Sequence, residues 1–233
     1  MLPFPVHRSG KTSIQQMLFN DADPKQTFYF EPTIRIMKHK HDTIIPLEIW
    51  DCPGNITVDT LGAPLSTFAL IIFVIDIQAG PDSVQQPIAR LLQFFTAAFQ
   101  ESPATALEVF VHKAEAIQEY KNDSFRHIQG RIIGELEDMP GFETMPLDFH
   151  LTSIYDYSLY ESFSELITKV VDSLPDLEQL LDIFCANSQA SKAYLFDIKS
   201  RLYVATDTSP PDSAHKLCCD YLKTMNSFGS LYK

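Results

Sequence analysis

The most telling stretch of the sequence is a continuous apolar run, Phe68-Ala69-Leu70-Ile71-Ile72-Phe73-Val74-Ile75. A run without polar alternation is typical of a parallel β-strand that is buried on both faces. Two shorter runs of the same character follow, at 107–111 and 147–151. Helical patterns come after each of the three runs, over 82–100, 122–137 and 158–173. Strands that alternate with helices predict an α/β fold, with a parallel sheet covered by helices.

The chain divides into two predicted domains, residues 1–174 and residues 175–233, with the boundary at Leu174-Pro175. Within the first domain, segments 33–39 and 45–51 flank a turn-like stretch and predict a β-hairpin ahead of the long apolar run. This hairpin and the three runs account for all the strands that we expect in the first domain.

The second domain is predicted to be a helix, a two-stranded hairpin and another helix. These elements span 176–188, 193–197, 201–205 and 212–225. A unit of this size is too small to bury its own apolar side chains. The side chains concerned include Leu180, Phe184, Leu195, Phe196 and Tyr203. We therefore expect this unit to need a partner or to be incomplete.

Composition narrows the class of protein. The chain has 233 residues and a formal net charge of −12, which argues against direct binding to nucleic acid or to an anionic membrane surface. Its four cysteines have no metal-ligand spacing and favour a reduced, disulfide-free protein. The longest apolar run is too short to span a bilayer, and no secretory signal is recognisable. We expect a cytosolic protein that does not insert into a membrane.

Near its start the chain carries the second half of a phosphate-binding loop, Arg8-Ser9-Gly10-Lys11-Thr12-Ser13. In such a loop, backbone N–H groups surround phosphate oxygens, the lysine reaches the outer phosphates, and the hydroxyl after it binds Mg²⁺. The helix that begins here adds the positive end of its dipole. Pro5 stands where the complete motif has its first glycine. The half motif therefore indicates a phosphate-binding site only if the other motifs of such a site follow at the correct distances.

Two later motifs complement the phosphate loop. Asp51 and Gly54, in Trp50-Asp51-Cys52-Pro53-Gly54, end a predicted strand. Asp51 is suited to hold Mg²⁺ through water, and Gly54 to bring its N–H close to a terminal phosphate. Thr33, in the loop that includes Thr27, is suited to complete the Mg²⁺ coordination. The alternatives are an ordinary strand exit and a Pro-Thr turn.

Two further motifs are suited to bind a purine base at the carboxyl ends of parallel strands. In Val111-His112-Lys113-Ala114-Glu115, the Glu115 carboxylate can accept two hydrogen bonds from guanine, and the Lys113 stem can lie over the ring. Ser153 and Ile154 follow the last strand, where backbone N–H groups can contact a base carbonyl. The alternatives are a solvated charged loop and a helix cap.

Taken in order, these motifs resemble the five motifs of a small GTPase, and their details resemble the Rag GTPases. The distinctive details are His112-Lys113, the Trp50–Gly54 motif and Leu151-Thr152-Ser153-Ile154-Tyr155-Asp156. The tail is similar to the C/D-type Rag subunit and its fungal counterpart. The tail motifs are Ala193-Tyr194-Leu195-Phe196-Asp197, Tyr203-Val204-Ala205-Thr206-Asp207-Thr208-Ser209-Pro210 and Leu217-Cys218-Cys219-Asp220. The resemblance covers the chain from Arg8 to about Met225.

The resemblance implies a P-loop GTPase domain, a three-layer α/β sandwich, followed by a roadblock-type dimerisation domain. It implies binding of GTP or GDP with Mg²⁺, and a heterodimer with an A/B-type Rag subunit. Such dimers bind a scaffold complex on the vacuolar or lysosomal membrane and signal amino-acid sufficiency to the target-of-rapamycin complex.

The family's site residues carry over position by position. The nucleotide-binding positions are Arg8, Ser9, Gly10, Lys11, Thr12, Ser13, Thr27, Thr33, Asp51, Gly54, His112, Lys113, Glu115, Ser153 and Ile154. The Mg²⁺ positions are Thr12, Thr33 and Asp51, and the catalytic positions are Lys11 and Asn55.

The sequence departs from the family in four places. Residues 1–5 replace the first strand and the front of the phosphate loop, Asn55 replaces a glutamine, and Glu115 replaces an aspartate. The chain also ends at Lys233, before a roadblock domain would be complete, so we expect both ends to be truncated. These departures favour a competing hypothesis, a nucleotide-impaired dimerisation scaffold. A P-loop kinase or ATPase is disfavoured by the His112-Lys113 motif and the tail.

Overall fold

The computed structural model describes residues 9–43, 45–78, 81–102, 105–117, 119–137, 139, 142, 147–171, 173–210 and 214–229. Arg8 lies outside these residues, as do residues 1–7, which include the segment 1–5 that replaces the family's first strand.

Three parallel strands form the central sheet, as the apolar runs predict. Strands β3 (Leu70–Asp76), β4 (Ala106–His112) and β5 (Leu147–Thr152) lie in the order β3-β4-β5. Strand β3 is continuously apolar because its side chains pack alternately into two core clusters, one on each face of the sheet. The protein is therefore mixed α/β with a parallel sheet.

The predicted hairpin is present, with a shorter first strand. Strands β1 (Met37–His41) and β2 (Leu47–Asp51) pair antiparallel, with Met37 opposite Asp51. The expected strand start at Thr33 is wrong. Thr33 precedes β1, and its hydroxyl donates a hydrogen bond to the Asp51 carboxylate. The preceding loop contains a 3₁₀ helix, Pro24–Tyr29.

Four α-helices pack around these strands. They are α1 (Lys11–Phe19), α2 (Pro81–Glu101), α3 (Lys121–Leu136) and α4 (Ser158–Lys169). Short 3₁₀ helices occupy Leu65–Thr67 and Ala114–Ile117. The predicted helix over 158–173 is too long: Val170 closes α4 through bonds from its N–H to the carbonyls of Ile167 and Thr168.

A cavity of about 600 Å³ separates the hairpin from the parallel sheet. Most of β2 and β3 lines it, together with residues of α1, α2 and α4. The facing edges of β2 and β3 pair with no strand in the part of the chain that the structure describes. The resemblance to small GTPases implies that the family's first strand lies between these two edges.

The C-terminal unit consists of α5 (Leu174–Ser188), β6 (Tyr194–Asp197), β7 (Leu202–Thr206) and α6 (Ala214–Gly229). Its hairpin packs on α4: the Tyr203 N–H donates to Ser164 Oγ at 3.0 Å, and Arg201 donates to Tyr160 Oη at 2.8 Å. The expectation that Tyr203 is left uncovered is wrong, because its ring is buried against Tyr194 and Phe196 of β6 and His215 of α6. Leu180 and Phe184 are exposed on α5, as predicted.

Candidate functional site

The loop before α1 has the backbone that the phosphate motif predicts. Gly10 has φ 99° and ψ 8°, a left-handed conformation that favours glycine. A Cβ atom at Gly10 would lie 2.6 Å from Cδ2 of His112. Gly10 is thus required twice, by its φ angle and by the close approach of the His112 ring. The N–H groups of the first turn of α1 then point out of the helix end, where an anion binds well.

Lys11 lies at this helix end in a partly buried position. Its Nζ donates to Ser9 Oγ at 3.3 Å. Burial lowers the pKa of the Lys11 amino group, the negative charge of Asp51 opposes that shift, and the positive charge of Arg90 adds to it. A partly desolvated cation at a helix N-terminus is well suited to bind phosphate.

The three predicted magnesium ligands lie in one cluster. Thr12 Oγ1 donates to Asp51 Oδ2 at 2.6 Å, and Thr33 Oγ1 donates to the same oxygen at 3.1 Å. The two hydroxyl oxygens are 2.8 Å apart. These residues come from α1, the following loop and β2, so only the fold brings them together.

The second oxygen of the same carboxylate supports a cation at this cluster. Asp51 is 5% exposed, and its Oδ1 is buried with no hydrogen-bond partner among the described residues. An unpaired buried carboxylate oxygen is costly, and a water bound to a cation would satisfy it by donating a hydrogen bond. Within the described residues no three His, Cys, Asp or Glu side chains form a metal cluster. Two hydroxyls and one carboxylate fit Mg²⁺ that is shared with phosphate oxygens.

A tight turn follows β2 at the same end of the site. The Ile56 N–H donates to the Pro53 carbonyl at 3.2 Å, so Gly54 and Asn55 are the central residues of the turn. Both are exposed. Arg90, on α2, donates from its guanidinium to the Gly54 carbonyl. Sequence reasoning missed Arg90, because nothing in an amphipathic helix pattern marks one arginine as a contact to a loop.

The predicted base-binding end begins at the carboxyl end of β4. His112 is 1% exposed, and its Nδ1 lies 2.9 Å from Thr152 Oγ1. Burial, with a smaller effect of the Lys113 charge, lowers the pKa of His112 to about 4. Lys113 has φ 66°, and its Nζ lies 2.5 Å from Asp76 Oδ2 at the end of β3. Asp76 is a second residue that the sequence did not single out.

Glu115 and Ser153 are in direct contact. Ser153 Oγ donates to Glu115 Oε2 at 2.5 Å and accepts from the Tyr155 N–H at 3.0 Å. The prediction of a free N–H at Ser153 is wrong, because that N–H donates to Ser158 Oγ at 3.0 Å. The neighbouring Ile154 is buried. The two base-binding motifs therefore meet at one place.

Other predicted residues lie apart from these contacts. Thr27 Oγ1 donates to the Pro24 carbonyl at 2.7 Å within its own 3₁₀ helix. Among the described residues, the structure gives Thr27 no hydrogen bond to Lys11 or to the Thr12 cluster. Ser13 lies half-buried in the first turn of α1.

Comparison with known proteins identifies the family. The conserved region described as "Gtr1/RagA G protein conserved region" matches residues 4–222. This chain belongs to the Gtr1/RagA family of G proteins. The family consists of GTP-binding proteins that are GTPases.

Individual relatives refine this assignment. The chain is 39% identical to GTP-binding protein gtr2 of Schizosaccharomyces pombe, over 97% of this chain and 73% of that protein. It is 38% identical to Ras-related GTP-binding protein D of Mus musculus, over 97% of this chain and 51% of that protein. GTP-binding protein gtr1 of S. pombe is 24% identical, over 89% of this chain and 69% of that protein. The resemblance to the C/D-type subunit is confirmed.

The described part of the chain contains no helix that is both long and apolar enough to cross a membrane.

Proposed function

We propose that this chain binds GTP and GDP with Mg²⁺ and hydrolyses GTP slowly, as the C/D-type subunit of a Rag-type heterodimer. The observation that carries this proposal is the Thr12–Thr33–Asp51 cluster, with its unpaired Asp51 oxygen, beside Lys11. That arrangement provides cation ligands and a phosphate-binding helix end at adjacent positions.

Each part of the site would have its own role in binding and hydrolysis. The N–H groups of the first turn of α1 and the Lys11 amino group bind the outer phosphates. Thr12 holds Mg²⁺ directly, Asp51 holds it through water, and Thr33 completes the set when a terminal phosphate is present. The bound Mg²⁺ neutralises phosphate charge. Asn55 orients the attacking water with a shorter side chain than glutamine, which makes hydrolysis slow.

Guanine would be recognised at the other end of the site. Glu115 accepts hydrogen bonds from the N1–H and the amino group of the base, and Ser153 holds the carboxylate in place. Asp76 orients Lys113 through the 2.5 Å ion pair, which keeps the lysine stem available to cover the ring.

The proposal includes a heterodimer with an A/B-type Rag subunit. It is supported by the exposed apolar side chains on α5 and α6 and by the similarity to gtr1-type as well as gtr2-type proteins. By analogy with the family, we propose an amino-acid-responsive switch for the target-of-rapamycin complex, on a scaffold at the vacuolar or lysosomal membrane. Residues 175–233 would form part of a roadblock-type domain.

A second candidate function is a dimerisation scaffold that binds nucleotide weakly. The cavity between β2 and β3 favours it, because no strand of the described residues pairs with the two edges that line it beside the phosphate loop. Titration of the purified heterodimer with fluorescent GTP in the presence of Mg²⁺ separates the two candidates. Saturable binding that is lost in Asp51→Asn supports the switch, whereas dimerisation without nucleotide binding supports the scaffold.

A further inference from the structure

Arg90 contacts the turn after β2 at its central peptide group. The turn runs from Pro53 to Ile56, and its central peptide carries the Gly54 carbonyl and the Asn55 N–H. The Arg90 guanidinium reaches from α2 to this carbonyl. No other acceptor for Arg90 is found among the residues that the structure describes. The contact thus joins a long helix to the loop where we place Gly54 against a terminal phosphate.

The sequence of this turn permits two orientations of that peptide. Neither Gly54 nor Asn55 has a positive φ angle here, so the turn is not of type II. A 180° flip of the central peptide would give a type II turn, which needs positive φ at Asn55. Asparagine tolerates that conformation better than most residues do. The flip would reverse the directions of the Gly54 carbonyl and the Asn55 N–H, and would remove the acceptor from Arg90.

Arg90 also belongs to the electrostatic environment of the phosphate end. Its charge is close enough to Lys11 to lower the pKa of that amino group, although burial is the larger cause. Arg90, Lys11 and Gly54 all line the same cavity. Because Lys11 and Arg90 repel each other, an anion bound close to both would be stabilising.

We propose that Arg90 is a positioning residue that holds the Gly54–Asn55 peptide in one orientation. In that orientation Asn55 is kept where it can order the attacking water. The Arg90 charge, close to Lys11 and on the same cavity as Gly54, would also favour a terminal phosphate at Gly54, so Arg90 would couple that phosphate to α2. This last step rests on the proposed function. The hold of Arg90 on the Gly54–Asn55 peptide, which we call the peptide latch, does not.

The latch is tested first without nucleotide, by ¹⁵N relaxation dispersion on protein labelled at asparagine and isoleucine. Arg90→Met should raise the population of a second turn conformer about tenfold, the value of one charge-assisted hydrogen bond, and broaden the Asn55 and Ile56 amides. Arg126→Met, an exposed arginine on α3, is the control and should leave both amides unchanged.

A double variant distinguishes a peptide flip from a general increase in the mobility of the turn. In Arg90→Met/Asn55→Val the β-branched residue disfavours positive φ, so the Ile56 amide should become sharp again. Unchanged amides in Arg90→Met, or broadening that persists in the double variant, would overturn the latch.

The coupling is tested by the affinities for Mg²⁺-GDP and for Mg²⁺ with a non-hydrolysable GTP analogue. Arg90→Met should weaken triphosphate binding about tenfold and leave diphosphate binding unchanged. An equal loss for both nucleotides would overturn the coupling. If the wild-type protein bound neither nucleotide, the proposed function would fail, while the dispersion data would still decide the latch.

Discussion

Gly10 and His112 join the two ends of the candidate site. The His112 ring packs against the Gly10 backbone, and its Nδ1 contacts Thr152 on the next strand. Because a methyl group at Gly10 would lie 2.6 Å from that ring, the phosphate loop and the base-binding motif cannot shift independently. A substitution of His112 should therefore affect the phosphate loop as well as the predicted base-binding motif.

The neutral state of His112 makes stability depend on pH. Its pKa falls from 6.5 unfolded to about 4 folded, so the unfolded chain binds the proton more tightly. The contribution is fully present above pH 6.5 and is lost as pH falls toward 4, by about 3 kcal/mol in all. Urea unfolding of wild type and His112→Asn at several pH values measures this difference. Identical acid losses in the two proteins would contradict it.

Glu115 should select guanine over adenine. Its carboxylate accepts from the N1–H of guanine, whereas N1 of adenine is itself an acceptor. Competition titrations with GTP and ATP on the heterodimer should therefore show a clear preference for GTP, which Glu115→Ala reduces by about 1.5–3 kcal/mol. Equal affinities for the two nucleotides, or an unaffected variant, would remove Glu115 from the base site.

Asn55 should limit the rate of hydrolysis. Its amide is one methylene shorter than that of glutamine, so it holds the attacking water less well in line. Single-turnover phosphate release should be very slow in the wild type and no faster than in Asn55→Gln. A wild-type rate clearly above that of the glutamine variant would refute this assignment.

At the scale of elements, local sequence patterns predict strands and helices, but they do not predict contacts between residues that are far apart in the chain. The strands of the parallel sheet could be predicted because burial on both faces leaves a continuous apolar sequence. The start of β1 could not, because Thr33 is held by Asp51, a residue on another strand. Likewise the Lys113–Asp76 pair and the Arg90 contact depend on which strand and helix lie alongside, which no local pattern records.

Helices α5 and α6 should mediate heterodimerisation. Their exposed apolar side chains are Leu180, Ile183 and Phe184 on α5, and Leu217, Tyr221, Met225 and Phe228 on α6. Exposed apolar surface of this kind marks an interface. Tyr221→Asp should reduce the amount of A/B-type subunit that co-elutes in size-exclusion chromatography after co-expression. Lys223→Asp, on the same helix, is the matched control; a stable monomer with no affinity for that subunit would contradict the prediction.

For the whole molecule, the C-terminal hairpin packs against elements of the first predicted domain. Arg201 reaches both Asp21 and Tyr160, and Leu202 and Val204 of β7 join the core cluster of α1 and α4. The sequence predicted the elements of this unit but not where it docks, because the contacts join positions far apart in the chain. The apolar side chains of this unit that face α4 are covered, whereas those on α5 and α6 are exposed.

The cavity between β2 and β3 should set the limit on nucleotide binding. Among the described residues no strand pairs with the edges of β2 and β3 that face it, and Ser9 and Lys11 lie against it. Pro3 and Pro5 cannot donate to a ladder, so residues 1–7 are a poor central strand. We expect the 233-residue chain to bind Mg²⁺-GTP weakly, at a cost of several kcal/mol against a total stability of about 5–15 kcal/mol.

An N-terminally extended chain tests this expectation. The extension supplies an apolar strand and a glycine-containing phosphate loop in place of residues 1–7, and a control version carries prolines at alternate positions of the added strand. Thermal unfolding with and without Mg²⁺-GTP should show a higher midpoint and a larger nucleotide shift only in the proline-free version, because only that strand can pair with both β2 and β3. If the 233-residue chain unfolds cooperatively with the same nucleotide shift, the open strand edges do not limit binding.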